Sequence, residues 1–582
     1  MDRHQMLMTP HKDIPSPGRR LGALLTLRPL RLMGSLLIYL GLIGGIISVG
    51  CSKRTTPVEI GEKEQILFIA NGTEPNELDP HLVNGIVEHK ILQALFEGLL
   101  VPHPETLEPT PGVAEQWEVS EDGRLYTFFL RDNARWSNGD PVTAHDFTYS
   151  FQRILSPNLA AEYAYMLYTL KNAAAFHQGT LTDFGKVGAK ALDDYTLQLE
   201  LEAPLPYFLS LILHFSWYPL HPPSISENGS IDERDTQWTR SEQLISNGPF
   251  ELKDWRLWDS LVVRKNPYYW DQSNVRLQEI HFLPIDNAHT EERAFRAGQV
   301  HITEALPKPK INAYKESGSP CLRIDPYLGV YYYLLNTTRP PLDDSRVRRA
   351  LSLAVDRDAI VNNITRGGEE AARNFTPPET GGYTASFCLQ ESTTQAQQLL
   401  TQAGYPNGHG FPTIELLYNT SETHKIIAEA IQQMWKQKLN INVRLLNQDW
   451  KVYLASRRAK DYQIARASWI GDYNDPNTFL DLWTSYSGNN HSGWSNEDYD
   501  QLIKQAGRTL DPHQRLEFFQ QAETLLVTQL PMIPIYFYKK VYLIDPSVKN
   551  WYPNILDWHP YKYIYLSGSS EHTDKAPDLP SN

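Results

Sequence analysis

Residues Pro111 to Pro157 read "PGVAEQWEVSEDGRLYTFFLRDNARWSNGDPVTAHDFTYSFQRILSP". Within this run "GRLYTFFLRDNARWSNGD", Gly123 to Asp140, alternates aromatic and polar residues as a strand does, and closes on Asn138-Gly139-Asp140, a turn signal. Upstream, "ILFIANGTE" reads as the first strand, and the segment before it, "SKRTTPVEIGEKEQ", reads as a tether. Downstream, "DSLVVRKNPYYW", "GVYYYLLNTT" and "NINVRLLNQDW" fit strands, whereas "SRVRRALSLAVDRDAIVNNI" and "HKIIAEAIQQMWKQKL" carry apolar residues at helical spacing. Helices and strands mix throughout without a repeat of fixed period, so an α/β organisation is expected. The tail "SGSSEHTDKAPDLPSN" has the composition of a disordered segment.

Composition limits the function classes. A chain of 582 residues exceeds one hydrophobic core, so two or three domains are expected. With 41% apolar and 21% charged residues it is globular rather than disordered or mostly membrane-embedded. The formal charge of −14 and the lack of long Lys/Arg runs argue against nucleic acid, because a phosphate-binding surface needs cationic patches. The 31 Tyr and 14 Trp suit either large cores or the lining of a roomy binding site.

The N-terminus indicates export. Arg19, Arg20, Arg28 and Arg31 precede the uncharged "LMGSLLIYLGLIGGIISVG", Leu32 to Gly50, which runs directly into Cys51. A basic flank, an apolar segment and a small residue before cysteine match a bacterial lipoprotein signal, with Cys51 as the lipidated first residue of the mature protein. Two features depart from that pattern: Ser48 stands where a leucine is usual, and the leader is long, with Met8 and Met33 as later starts. The apolar stretch is also nearly long enough for an uncleaved membrane anchor, the other reading. Either way the rest of the chain is exported to a periplasmic or cell-surface position, where a disulfide between Cys321 and Cys388 is allowed but not implied.

The densest polar segment is "DYQIARASWIGDYNDPNTFLDLW", Asp461 to Trp483, with Arg466, Trp469, Asp472 and Asp475 inside ten residues of a strand leading into a turn. Two acids close in sequence do not make a general acid and base. A calcium loop fails, because Pro476 replaces an oxygen ligand, no glycine makes the turn, and Trp483 stands where a bidentate glutamate is required. No GxSxG, HExxH, phosphate loop or GxGxxG occurs in a credible context, and the 18 histidines lack zinc spacing. An enzyme is therefore disfavoured, and no metal or cofactor is expected.

The Pro111 to Pro157 run resembles the solute-binding lipoproteins of peptide ABC transporters, family 5 of the bacterial extracellular solute-binding proteins. The likeness continues through "NGTEPNELDPH", "ALFEGLL", "NGPFELKDW", "RKNPYYWD", "DPYLGVYYYLLNTTRPPLDDSRVRRALSLAVDRDAIV" and "LPMIPIYFY", from Gln65 to about Tyr565. "NQDWKVYLASRRAKDYQIARASWIGDYNDP" is most similar to the oligopeptide-binding members. The resemblance implies a two-lobed periplasmic-binding-protein-like (type II) α/β fold with a hinge and an extra inserted domain. It places the leader at 1–51, the first lobe at 52–98, 223–328 and 539–582, the inserted domain at 99–222 and the second lobe at 329–538. It implies a monomer that captures oligopeptides between the lobes and hands them to a membrane permease driven by a partner ATPase.

The same resemblance assigns the site. Asp472 takes the place of the aspartate that pairs with the ligand's α-ammonium, and Arg466 that of the arginine meeting a tripeptide carboxylate. His424 takes the place of a histidine meeting longer ligands, Tyr163 and Trp450 wall the site, and Trp469 lies in the strand that pairs with the peptide backbone. Backbone pairing ignores side chains, which lets one cleft take many sequences. Several positions depart from the relatives. Asn84 replaces a glutamate near the ligand, and Thr365, beside Arg366, replaces a lysine associated with dipeptide carboxylates. Gly329 and Ile470 replace a bridged cysteine pair. Rival cargoes on the same fold are murein peptides, opine-like compounds and metal chelates; rivals of other kinds are a peptide-sensing receptor and an exported hydrolase.

Overall fold

The structure, a computed structural model, describes residues 55–83 and 85–568. The leader with Cys51, Asn84, the side chain of Trp450 and the tail from 569 lie outside the described residues. Among the described residues no helix is long and apolar enough to cross a membrane.

Three larger sheets organise the chain. The first has four strands in the order Ile66–Ala70, Glu279–Leu283, Ser260–Lys265 and Phe250–Arg256, with the first pair parallel and the rest antiparallel. The second is antiparallel, in the order Ala114–Val119, Leu125–Leu130, Thr196–Glu200 and Ala189–Asp193. Its strand Leu125–Leu130 buries Tyr126, Phe128 and Leu130 on one face, the alternation legible in the sequence. The third has six strands in the order Glu370–Ala371, Met532–Leu543, Leu322–Leu335, Ile464–Ile470, Ile414–Asn419 and Val443–Gln448.

Two long strands carry the chain between the first and third sheets. Leu322–Leu335 and Met532–Leu543 pair antiparallel from Leu322↔Leu543 to Leu334↔Met532, with a break in register between Pro326 and Val330. Beyond their lower ends Ile302 bridges Ile544 on one side and Ile69, a strand of the first sheet, on the other. Gly329 lies opposite Ile470 in the third sheet, and a Cβ there would meet Ile470 Cδ1 at 2.4 Å, so the isoleucine fills the space that a larger partner would need.

Two local readings change, and one left open is decided. The expected tether contains a helix, Pro57–Glu64, with Val58 and Gly61 buried. Thr56 caps it: its hydroxyl accepts from Glu59 N at 3.2 Å while Glu59 accepts from Thr56 N at 2.9 Å, a reciprocal capping box that sets two free amides to work. The expected single helix after Ser345 is two, Ser345–Leu353 and Arg357–Ile360, because Asp356 caps a second start by accepting from Ala359 N at 2.9 Å. Cys321 and Cys388 are both free thiols, so the disulfide allowed by an oxidising compartment is not formed.

Candidate functional site

The strand Ile464–Ile470 is central to the third sheet, yet only one edge of it is fully used. Along the Leu322–Leu335 side it is paired from Ile464 to Ile470. On the other side Ile414–Asn419 reaches only Ile464 and Ala465, so no strand among the described residues covers that edge from Arg466 onward. An unpaired edge offers N–H and C=O groups to an added extended chain. Ser468, Trp469 and Ile470 on this run, followed by Gly471 and Asp472, line a cavity of about 510 Å³.

The cavity is closed in by distant parts of the chain. Ile86, His89, Lys90 and Gln93 come from the helix Ile86–Leu95. Tyr163, Tyr165, His214 and Phe215 come from the region of the second sheet, and Asp557 and Trp558 from near the C-terminus. Rings make up much of its wall: His89 meets Phe215 and Trp558 at 5.2 and 5.0 Å, and Tyr163 meets His214 at 4.6 Å. Burial first, and then the neighbouring His89, hold the His214 imidazole well below its usual range; burial lowers His89 to about 3, so both are neutral rings at physiological pH.

Asp472 is placed by its neighbours in sequence. Gly471 N donates to Leu328 O at 2.8 Å, and a Cβ on Gly471 would lie 2.5 Å from Leu328 Cδ2 and 2.8 Å from its Cγ, so only glycine lets the strand end this close. Asp472 N then donates to Thr478 Oγ1 at 3.1 Å, and Trp469 Nε1 to Thr478 O at 2.6 Å, which pins the turn from both sides. Among the described residues Asp472 has no ion pair. Burial pushes its carboxyl up to about 7, against the opposing pull of a hydrogen bond from Tyr165. Asp475, three residues on, is unavailable to a ligand: both its oxygens accept from Arg515 at 2.7 Å.

Arg466 and His424 are brought to each other, though not to the wall of that cavity. Arg466 is buried with its guanidinium carbon 4.8 Å above the Tyr331 ring, and its Nη2 donates to Tyr538 Oη at 3.0 Å. It has no carboxylate partner among the described residues, and its Nε lacks any hydrogen bond. His424 opens the helix Glu422–Leu439, capped by Ser421, and its Nδ1 lies 3.4 Å from Tyr331 Oη. Burial, with Arg466 adding to it, lowers His424 to about 3. A buried guanidinium facing only phenols is a cation without its anion.

Trp469 and Tyr163 line the cavity. Trp450 begins the helix Trp450–Arg458. Sequence reasoning missed Tyr165, whose hydroxyl bonds Asp472, and Asp481, which lies in the same quoted segment and whose carboxyl burial and Asp472 together raise to about 7. Only the density of acids in that segment hinted at Asp481; nothing local pointed to Tyr165, which arrives from over three hundred positions earlier in the chain. Among the described residues no cluster of side chains suits a metal ion.

Residues 108–491 match the model of the bacterial extracellular solute-binding proteins, family 5 Middle. The chain is 36% identical over 530 residues to the periplasmic oligopeptide-binding protein OppA of Salmonella typhimurium, covering 88% of this chain and 94% of that protein. Its fold superposes on the murein tripeptide binding protein MppA of Escherichia coli with a TM-score of 0.77 at 38% identity, covering 86% of this chain and 98% of the other. It superposes on Haemophilus influenzae OppA in complex with the peptide RPPGFSPFR with a TM-score of 0.75 at 33% identity, covering 87% and 99%.

Proposed function

The chain belongs to the bacterial extracellular solute-binding proteins of family 5, and from that premise we propose that it is the extracytoplasmic binding component of an ABC importer, capturing oligopeptides and delivering them to a membrane permease. The observation that carries this reading is an unpaired carboxylate, Asp472, at the end of a strand whose open edge borders the same cavity. A peptide ammonium would neutralise Asp472, and the peptide backbone would use the free edge. Arg466 supplies the complementary end. From Arg466 to Ile470 the strand advances about 13 Å, room for three or four extended residues. The clamp therefore suits tripeptides, with His424 one step further out for longer ligands. Trp450 completes the assignment as a wall residue, and Asn84 as an uncharged neighbour of the ligand.

The two-lobed fold supplies the motion. We assign the lobes to 52–98, 223–328 and 539–582 on one side and 329–538 on the other, with 99–222 as the additional domain. The two strands that pass between the sheets, with their register break at Pro326 to Val330, serve as the hinge. Ligand binding then shifts an open population toward a closed one that the permease recognises. The protein acts as a monomer without catalytic activity, held at the membrane through lipidated Cys51. A second reading, capture of murein peptides, has the likeness to MppA behind it.

Native mass spectrometry of the freshly purified protein tests both. Complexes heavier by a mixture of tri- to pentapeptide masses are expected; a single murein tripeptide mass selects the second reading. A ligand that is not a peptide, or peptides returned cleaved after incubation, overturns the proposal.

A further inference from the structure

Asp472 is shared by two cavities, and the second has chemistry of its own. It measures about 670 Å³, within the range of ~300–1,000 Å³ typical of ligand pockets, and lies between residues 162–211 and residues 458–489. Tyrosine rings dominate its wall: Tyr165, Tyr168, Tyr207, Tyr473 and Tyr486, with Tyr207 and Tyr473 stacked at 5.1 Å. Asp481 is on this wall as well. Its Oδ2 accepts from the Asn477 amide at 3.1 Å, and the same amide reaches Tyr207 Oη at 3.0 Å, so the acid is tied to the stacked rings. Among the described residues neither Asp472 nor Asp481 has an ion pair; Arg458 lines the cavity without pairing with either. Asp475, between them in sequence, shows the contrast, since Arg515 neutralises it completely.

We propose that this second cavity receives the first side chain of the bound peptide and selects a cationic one, lysine or arginine, through Asp481 and the tyrosine faces. The inference rests on the peptide-binding reading. With the α-ammonium on Asp472, the first side chain branches one atom away, at the point where Glu162, Tyr165, Trp469, Asp472 and Asn489 border both cavities. The alkyl stem of lysine packs on the rings, and its ammonium reaches a carboxylate that lacks a cation. Three carboxylates, Glu162, Asp472 and Asp481, line this partly buried space, and a second positive charge relieves the repulsion between Asp472 and Asp481. Burial and the charge of Asp472 already push Asp481 up to about 7, which is the cost a cation would remove. A neutral first residue fills the space and leaves Asp481 uncompensated.

Calorimetric titration with Lys-Ala-Ala and norleucine-Ala-Ala, which differ only in the terminal ammonium, measures the preference in the parent protein. Roughly tenfold tighter binding of the lysine peptide is expected. Asp481→Asn should abolish that ratio, and Asp481→Glu should keep most of it. Equal affinities in the parent overturn the subsite while leaving peptide capture intact, and a parent that binds neither peptide overturns both. Free spermidine, the other source of the same ammonium chemistry, is titrated alone: no heat is expected, and binding that Asp481→Asn removes would overturn the assignment to a peptide side chain.

Discussion

Replacing Asp472 by asparagine preserves the shape of the proposed ammonium acceptor and removes its charge. A charge-assisted hydrogen bond is worth about 1.5–3 kcal/mol, which converts to roughly tenfold to a hundredfold in affinity or a little more. At pH 7 the carboxyl, raised to about 7, is only half ionised in the empty cleft, and completing its ionisation subtracts about 0.4 kcal/mol from the gain. The net loss on Asp472→Asn is thus still about tenfold or more for Ala-Ala-Ala. Acetylating the peptide removes the other half of the same pair, so it should cost the parent a similar factor and the mutant far less. Calorimetry with both proteins and both peptides closes the cycle. If the two losses simply add, Asp472 is not the ammonium partner. Asp475 cannot then replace it, being engaged with Arg515, and Glu162 and Asp481 are the next acids on the cavity walls.

The charge state of Asp472 also makes binding pH-dependent. Its carboxyl faces Tyr163, Tyr165 and Asp481, so below about pH 7 a peptide ammonium has to displace a proton, and affinity should fall by up to ~tenfold per unit toward pH 5; Asp472→Asn should flatten that slope. For the empty fold the sign is opposite to that of an ordinary ion-paired acid. A carboxyl raised on folding stabilises fully below its unfolded range and loses that contribution as pH rises through about 7, so thermal melting of the ligand-free protein should fall over that window more than in Asp472→Asn. Gly471→Ala should cost about 1–3 kcal/mol in denaturant unfolding and weaken peptide binding, because the strand end has to move off Leu328; unchanged values for both would mean the close approach relaxes freely. Cys51→Ser should release the protein from membranes or leave an uncleaved, heavier form, and retention of both mass and membrane association would favour an ordinary anchor.

The part of the candidate site that was legible in the sequence comes from one strand and the turn after it: Arg466, Trp469 and Asp472 lie within seven positions, although Gly471 and Thr478 rather than strand alternation place Asp472. The strands read from period-two patterning stand where expected, since the aromatic face of Leu125–Leu130 is also its buried face. What failed were features decided by a single side chain or by distance. The helix after Thr56 depends on one capping box within a polar segment that lacks apolar periodicity, and the break after Leu353 depends on Asp356 competing for a new helix start. The second cavity was invisible because Tyr207 and Tyr473 stack across 266 positions of chain, and neither ring is marked locally as belonging to a site.

The departures from the relatives at the proposed carboxyl end leave Arg466 and His424 as its candidate groups. Thr365, in the place of a lysine, is buried, and its hydroxyl donates to Glu369 at 2.9 Å. Glu369 takes its countercharge from Lys308 at 2.6 Å, so this pocket is electrically closed and has no cation to offer a ligand. Arg366 does not substitute: its left-handed backbone at φ 55° turns it to solvent, where its Nε donates to Asn363 O. Arg466 alone among these cations is buried without an acid, and Tyr331 links it to a neutral His424. Arg466→Ala should therefore weaken tripeptides most, by roughly tenfold or more, since it removes a buried cation from its carboxylate. His424→Ala should weaken tetrapeptides most and by less, because a neutral imidazole gives one ordinary hydrogen bond worth about 1 kcal/mol. Titration of both variants with a series of alanine peptides separates the two profiles, and equal losses at every length would show that neither residue reads the terminus.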